Sequence, residues 1–548
     1  MLAAVTGVLV GLTVAVFDEL VIGTAETVLV DRPLWVLAMA PGIGLVLSAA
    51  ALRWVAGGAS NATSDEYVRA FHERTPSLPL RVLPGRLLAG IATIGFGGTL
   101  GLEGPASYAG ATVGLSVQHR VPGIFRREDA KVLLTAGAAA GVSAIFKTPA
   151  TGVVFALEAP YLDDIASRAL VPSLVASATS YLTFVTIEGT APVIPPFGAP
   201  PNLRPTELVG AVLVGLGAGL AGTGFAWAVA GTKALGARVG LWVRLAVGAV
   251  VLAGLAVLAD EVFDTEFPLT LGPGYETLDW VQDPSHALGL VALLFAMRAV
   301  ATVATAGAGG TGGLFIPLAV QGVLLGRFVG GVLDQPGAGL YPTIGLAAFL
   351  GAGYRTPLTA VMFVAETSGD VAYVIPALVA AAVSQIVVGR KSVVRHQRPV
   401  RQGHLEGRLG LPIASALTTD VLTVPPDATL EEFLTYHVLG RRVRTVPVVE
   451  GGRFEGVCVL GDLGAVPREE WATTPVSAVA RRDVAAPSPA DSLREAVAAL
   501  EGSDLDVVPV VDPDGAFVGT VSWADLLELD QILDQTSDPG VDDAEDAR

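Results

Sequence analysis

Cysteine is almost missing from this 548-residue sequence: Cys458 stands alone, which excludes a disulfide framework and any site built from several thiolates. Charge is scarce too, at 16% of residues against roughly 25% in an average soluble domain. Lysine occurs only at Lys131, Lys147, Lys233 and Lys391, and no basic stripe exists to neutralise the phosphates of a nucleic acid. The histidines, His72 and His119 among them, are scattered without metal-ligand spacing, so no metal site is expected. What is abundant is apolar surface, with 52% hydrophobic residues and a mean hydropathy of +0.59. The net charge of −18 is unevenly spread. From Leu411 onward there are 26 acidic and 9 basic residues, a net of −17, which leaves residues 1–410 with 26 acidic and 25 basic, a net of −1. A single soluble globule is excluded; the chain reads as a large apolar body and a small acidic one.

Apolar runs recur over Met1–Phe17, Pro33–Ala56, Leu87–Leu102, Leu208–Val229, Val243–Leu258 and Ala287–Thr305. Several approach the roughly 20 residues that span a bilayer as a helix. Others are broken by Gly and Pro, which membranes tolerate only where the break is buried in protein or lines a cavity. Met1–Phe17 has no basic residue in front, as a secretory signal would, and reads as a first membrane helix. Arg390, Lys391, Arg395, Arg398 and Arg401 follow the last apolar run, so this end and the acidic body beyond it are expected in the cytoplasm.

The apolar body repeats itself. Gly95-Phe-Gly-Gly-Thr-Leu-Gly-Leu-Glu-Gly-Pro105 aligns without gaps on Gly307-Ala-Gly-Gly-Thr-Gly-Gly-Leu-Phe-Ile-Pro317, with seven of eleven residues identical. Phe146-Lys-Thr-Pro-Ala-Thr-Gly-Val-Val-Phe-Ala-Leu-Glu158 aligns on Tyr354-Arg-Thr-Pro-Leu-Thr-Ala-Val-Met-Phe-Val-Ala-Glu366. The two offsets, 212 and 208, indicate duplicated halves of about 200 residues, running over about 1–200 and 205–395. Similarity alone leaves open whether the halves are parallel or inverted.

Each glycine cluster precedes an apolar run and can set a helix N-terminus inside the membrane. Unpaired N–H groups and the positive end of the helix dipole then favour an anion without a full cationic charge. Glu103 lies inside the first break, where its carboxylate competes with a free anion for the same donors, and its protonation frees them. Lys147 and Arg355 occupy equivalent places and are expected either to add positive potential at the pathway mouths or to snorkel to the interface.

These residues resemble the CLC family of chloride channels and chloride/proton antiporters. Gly101-Leu-Glu-Gly-Pro105 is similar to its G-x-E-G-P motif and Gly313-Leu-Phe-Ile-Pro317 to its G-x-F-x-P motif. The resemblance covers roughly 1–395. It implies an all-α polytopic membrane protein with inverted internal repeats and broken helices, a homodimer in the lipid bilayer, and one chloride pathway per subunit. It further implies Glu103 as the gating residue and the backbone N–H groups of Leu102, Gly104, Leu314, Phe315 and Ile316 as anion ligands. Three departures matter. The family's G-S-G-I-P segment is replaced by Gly58-Ala-Ser-Asn-Ala-Thr-Ser-Asp65, where ungapped counting puts Ala62 at the coordinating serine, with Ser60, Thr63 or Ser64 as substitutes in a shifted loop. The family's central tyrosine is missing near Gly389–Val394, with Val394 its counterpart. The inner proton-transfer glutamate is Ala159, leaving Glu158 as the nearest titratable group.

Because alanine relays no proton, passive conduction is expected ahead of chloride/proton antiport. A non-conducting, membrane-anchored nucleotide sensor is the remaining alternative. None of the three is an enzyme, and none requires a cofactor. The expected location is the plasma membrane of a prokaryote.

The acidic body, after a basic linker at 396–416, carries a second repeat. Val446-Pro-Val-Val449 recurs as Val508-Pro-Val-Val511, and Gly456…Asp462-Leu463 as Gly519…Asp525-Leu526. Short β-branched runs alternate with helical stretches, so each unit reads as α/β. The pair is similar to CBS domains, at 417–470 and 475–530, expected in the cytoplasm as regulators. That likeness implies an adenine nucleotide such as ATP or AMP at Ser522 and Asp525. In the first copy Asp462 remains but Val459 replaces the hydroxyl. The segment 535–548, with five acidic residues, is expected to be a solvated tail.

Overall fold

The computed structural model describes residues 1–73, 75–121, 131–194, 197, 204–335, 339–399, 408–439 and 443–536; most of the acidic tail, and Arg401, lie outside them. The chain divides into two compact units, Met1–Arg401 and Gln402–Arg548.

The first unit is built from two runs of eight helices. The first comprises α1 (Leu2–Leu29), α2 (Leu34–Ala50), α3 (Ser64–His72), α4 (Leu83–Gly95), α5 (Glu103–His119), α6 (Val132–Phe146), α7 (Pro149–Glu158) and α8 (Leu170–Glu188). The second comprises α9 (Pro205–Arg238), α10 (Leu241–Phe263), α11 (Tyr275–Trp280), α12 (Leu288–Ala308), α13 (Phe315–Val332), α14 (Leu340–Tyr354), α15 (Pro357–Ser368) and α16 (Val374–Val388). Among the described residues, eight helices are long and apolar enough to cross a membrane. The shorter ones include α5, α6, α7, α14 and α15, which carry the repeated motifs.

Lipid tails are as apolar as leucine, so close backbone approach rather than hydrophobic burial holds such helices together. Gly110 and Gly137 press α5 onto α6, and Gly322 and Gly345 press α13 onto α14; a β-carbon on any of them would collide with the facing carbonyl. The same small-residue seam therefore recurs in both halves.

The relation between the halves follows from reciprocal contacts. Glu158, at the end of α7, accepts hydrogen bonds from the backbone N–H groups of Leu358 and Thr359 at 3.0 and 2.8 Å and from the Thr359 hydroxyl at 2.7 Å. Glu366, near the end of α15, accepts from the N–H groups of Ala150 and Thr151 at 2.9 and 2.6 Å and from the Thr151 hydroxyl at 2.6 Å. Each helix end caps the other helix's start, so α7 and α15 run antiparallel, side by side. A two-fold operation that exchanges them turns one half upside down relative to the other. The halves are inverted.

The second unit contains two copies of a strand pair followed by a helical segment, a 3-10 turn at Leu460–Ala465 in the first and an α-helix in the second. Strands β1 (Thr445–Glu450) and β2 (Arg453–Val459) pair antiparallel, as do β3 (Val507–Val511) and β4 (Phe517–Ser522), with a bulge after the third residue of the repeated Val-Pro-Val-Val in each. Helices α17 (Leu493–Glu501) and α18 (Trp523–Thr536) complete the second copy. Leu409, Ile413 and Ala416, which the sequence suggested as linker, pack into this second core beside Val508, Val510 and Val521. Thr418 and Thr520 exchange two backbone hydrogen bonds of 2.9 Å, so the lead-in strand belongs to the second copy. Cys458 is fully buried in the first core, and burial pushes its thiol up to about 12.

Candidate functional site: two helix starts and a buried carboxylate

The two glycine clusters meet. Gly101 and Gly313 form an antiparallel bridge, each N–H donating to the other's carbonyl at 2.8 and 2.7 Å. This tie places the start of α5 beside the start of α13, so donors left unpaired by both helices face one buried spot. Proline at the third position of each helix, Pro105 and Pro317, suits a first turn whose N–H groups have no helical partner.

Glu103 fills that spot. It is 1% exposed, and its Oε1 accepts the Phe315 N–H at 2.6 Å. Its Oε2 is buried and, among the described residues, has no hydrogen-bond partner. The carboxylate lies between two glycines: a β-carbon at Gly101 or Gly313 would collide with one or other carboxylate oxygen. The starts of α5 and α13 bring Leu102, Gly104, Leu314, Phe315 and Ile316 together here, with Thr63 against Gly104. Two of them are committed elsewhere. The Leu314 N–H donates to the Tyr354 hydroxyl at 3.2 Å, and the Thr63 hydroxyl donates to the Gly312 carbonyl at 3.1 Å. Thr63, with Asn61 donating to the Gly310 carbonyl at 2.9 Å, therefore lashes its loop to the other half. Ala62 offers no side-chain donor. Ser60 pairs with Glu66 and Arg86 instead. The hydroxyl near the site is Ser64, which neighbours both Ser107 and the Tyr354 hydroxyl.

Tyr354 is the site residue that sequence reasoning missed. Its signal was present: Tyr354 aligns with Phe146 in the second repeat pair, a ring in both halves but with a polar tip in only one. Val394, the counterpart of the family's tyrosine, is buried.

Beside the carboxylate, at the start of α13, lies a cluster of rings. Phe315 packs against Phe146, Phe155, Phe363 and Tyr354 at centroid distances of 4.6, 6.1, 4.9 and 6.2 Å. Ala159 is buried just beyond α7, and both oxygens of Glu158 serve the start of α15. A cavity of about 990 Å³ reaches Leu102. Lys147 and Arg32 line it together with Asp18, Glu26, Asp31, Glu188, Glu266 and Glu276, so it is acidic. The expected positive mouth at Lys147 is thus outweighed by carboxylates. Arg355 does not supply one either: it is 8% exposed, with Nη2 on Asp163 at 2.7 Å and Nη1 on the Gln385 side chain at 2.7 Å.

In the second unit Ser522 and Asp525 do come together. The Ser522 N–H and hydroxyl donate to Asp525 Oδ2 at 2.7 and 2.6 Å at the start of α18. Asp462 is held differently: Arg481 donates to both its oxygens at 2.6 and 2.8 Å and also reaches Asp504 at 2.5 Å. Those bonds to Asp462 and Asp504 raise the Arg481 guanidinium still further, and Arg481 in turn holds the Asp504 carboxyl below the usual carboxylate range.

Inverted halves whose broken helices aim their starts at one buried spot define a membrane transport protein of the anion-pathway class. The chain belongs to the voltage gated chloride channel family, whose profile matches residues 43–389. The CBS domain profile matches 413–463 and 476–531. The H(+)/Cl(-) exchange transporter ClcA of Salmonella paratyphi A is 28% identical over 406 residues, covering 69% of this chain and 82% of that protein. ClcA of Cronobacter sakazakii is 27% identical over 406 residues, covering 69% and 84%. Among solved structures, a CLC-type fluoride/proton antiporter matches with a TM-score of 0.62 at 22% identity, over 73% of this chain and 97% of that one. A eukaryotic CLC transporter matches with a TM-score of 0.59 at 17% identity, over 96% and 97%. The expected fold class, a helical membrane body with inverted repeats followed by a CBS pair, is borne out. This is a chloride-transport protein of the membrane.

Proposed function

We propose that the chain conducts chloride passively through the junction of α5 and α13, with Glu103 as the gate. The observation that carries this is the Glu103 carboxylate on the Phe315 N–H at 2.6 Å, the kind of donor that a chloride ion would take. Carboxylate and chloride compete for the same helix start. Protonation removes the charge that makes Glu103 the better competitor, and its unpartnered Oε2 leaves it under-satisfied and displaceable. Flux therefore rises as pH falls. After release, the N–H groups of Phe315, Ile316 and Gly104 bind the ion.

Passive flow, rather than exchange, is supported by Ala159 at the inner proton-transfer position. It is supported further by the use of Glu158 as a helix cap, which ties both its oxygens to the start of α15. The second reading is chloride/proton antiport, favoured by relatives named as H(+)/Cl(-) exchangers. In proteoliposomes, Glu103→Gln is expected to abolish the pH dependence of chloride efflux; an unchanged pH response overturns the gate.

The same proposal takes the protein as a homodimer of a prokaryotic plasma membrane with its CBS pair in the cytoplasm. Ser522 and Asp525 would hold the ribose of an adenine nucleotide, ATP or AMP, which would displace the Thr418 and Ser522 hydroxyls from Asp525; Asp462 is held by the Arg481 guanidinium instead. ATP or AMP should raise the unfolding temperature of the full-length protein, and Ser522→Ala should remove that shift. No shift in the parent protein counts against a nucleotide.

A further inference from the structure

Tyr354 ends α14 with its ring buried among Phe155, Phe315 and their neighbours, at centroid distances of 5.7 and 6.2 Å from those two. Its hydroxyl is the polar tip of this ring cluster, and it faces the start of α13. There the Leu314 N–H donates to it at 3.2 Å, while the next N–H along, that of Phe315, donates to Glu103. A phenolic hydroxyl has two acceptor sites and one proton. With an N–H on its oxygen, what remains to be directed is the proton, and a hydroxyl that already accepts a hydrogen bond is the stronger donor.

We propose that Tyr354 is a specificity-determining residue of the anion site, donating its O–H to the permeating ion beside the Phe315 N–H and in place of the Leu314 amide. The proposal rests on the reading that the ion takes the place of the Glu103 carboxylate. The segment around Val394, where the family resemblance puts a tyrosine, contributes no phenol. Ser64 lies next to the Tyr354 hydroxyl and 3.5 Å from the Ser107 hydroxyl. A single donor on a ring held by packing discriminates by charge density. Chloride concentrates its charge on one atom; nitrate and thiocyanate spread theirs, so they lose less when the donor is removed. A hydrogen bond to a charged group is worth about a tenfold preference or more.

The test uses the full-length protein in proteoliposomes and reads chloride flux relative to nitrate and thiocyanate. Tyr354→Phe is expected to lower the chloride preference about tenfold while leaving the pH response intact. An unchanged flux ratio overturns the proposal. Should the phenylalanine variant fail to fold, 3-fluorotyrosine at position 354, a stronger donor of nearly the same shape, should raise the chloride preference; no change again overturns it. Glu103→Gln separates the two readings. If it keeps the pH response while Tyr354→Phe shifts the ratio, the gate falls and the Tyr354 assignment stands. If it abolishes the pH response while Tyr354→Phe leaves the ratio alone, only the Tyr354 assignment falls.

Discussion

A carboxylate can lie between two helix starts only because residues 101 and 313 have no side chain. Gly313→Ala puts a methyl group where Glu103 Oε1 sits, and there is little room for it to yield beside the Gly101 bridge. The carboxylate should be driven out, giving chloride efflux at neutral pH that is several-fold faster and nearly independent of pH. Retention of the parent's pH response in a folded Gly313→Ala protein would show that the cradle is not what holds the gate. A second residue-scale prediction concerns Cys458, whose burial penalises the thiolate and pushes the thiol up to about 12. Maleimide should leave it unlabelled at pH 8 until the unit unfolds. The sign of the linkage follows. Because the unfolded thiol ionises above about 8.5, its contribution to stability is complete below that pH and declines as pH approaches 12.

At the scale of elements, α7 and α15 are joined by reciprocal caps, Glu158 on the start of α15 and Glu366 on the start of α7. Hydrogen bonds to a charged acceptor contribute on the order of 2 kcal/mol each. Glu158→Gln or Glu366→Gln should therefore lower thermal stability by a similar amount, because an amide keeps one acceptor oxygen and loses the charge. If Glu158 is only a cap, Glu158→Gln should leave chloride flux without coupled proton movement, as in the parent; loss of a proton flux that the parent carries would return it to a proton path. The duplication was legible because it is written in residue order: two motif pairs at offsets of 212 and 208 foretold two halves with broken helices. The partners of those residues were not legible, since each closes across about 200 residues. The sequence alone suggested Thr63 as a ligand and Arg355 as a source of positive potential or an interfacial snorkel, whereas their donors go to Gly312, Asp163 and Gln385. Tyr354 escaped for the same reason: no local pattern says that a ring at the end of α14 will meet the start of α13.

For the whole molecule, the uneven charge is the guide. The acidic excess belongs to the unit with the CBS pair, and the membrane unit is almost neutral. On the proposed reading its anion site is made from helix starts rather than cations, and because the cavity that reaches Leu102 is acidic, selection falls to the α5–α13 junction. Phe146, Phe155 and Phe363 pack around Phe315 at that junction, and Ala159 stands at the proposed proton-transfer position. Passive conduction is the central claim. Its most direct test is simultaneous measurement of chloride and proton movement by the purified full-length protein in proteoliposomes under a chloride gradient. Passive conduction predicts chloride efflux with no proton uptake in fixed proportion. Protons driven uphill at a constant chloride-to-proton ratio would contradict it.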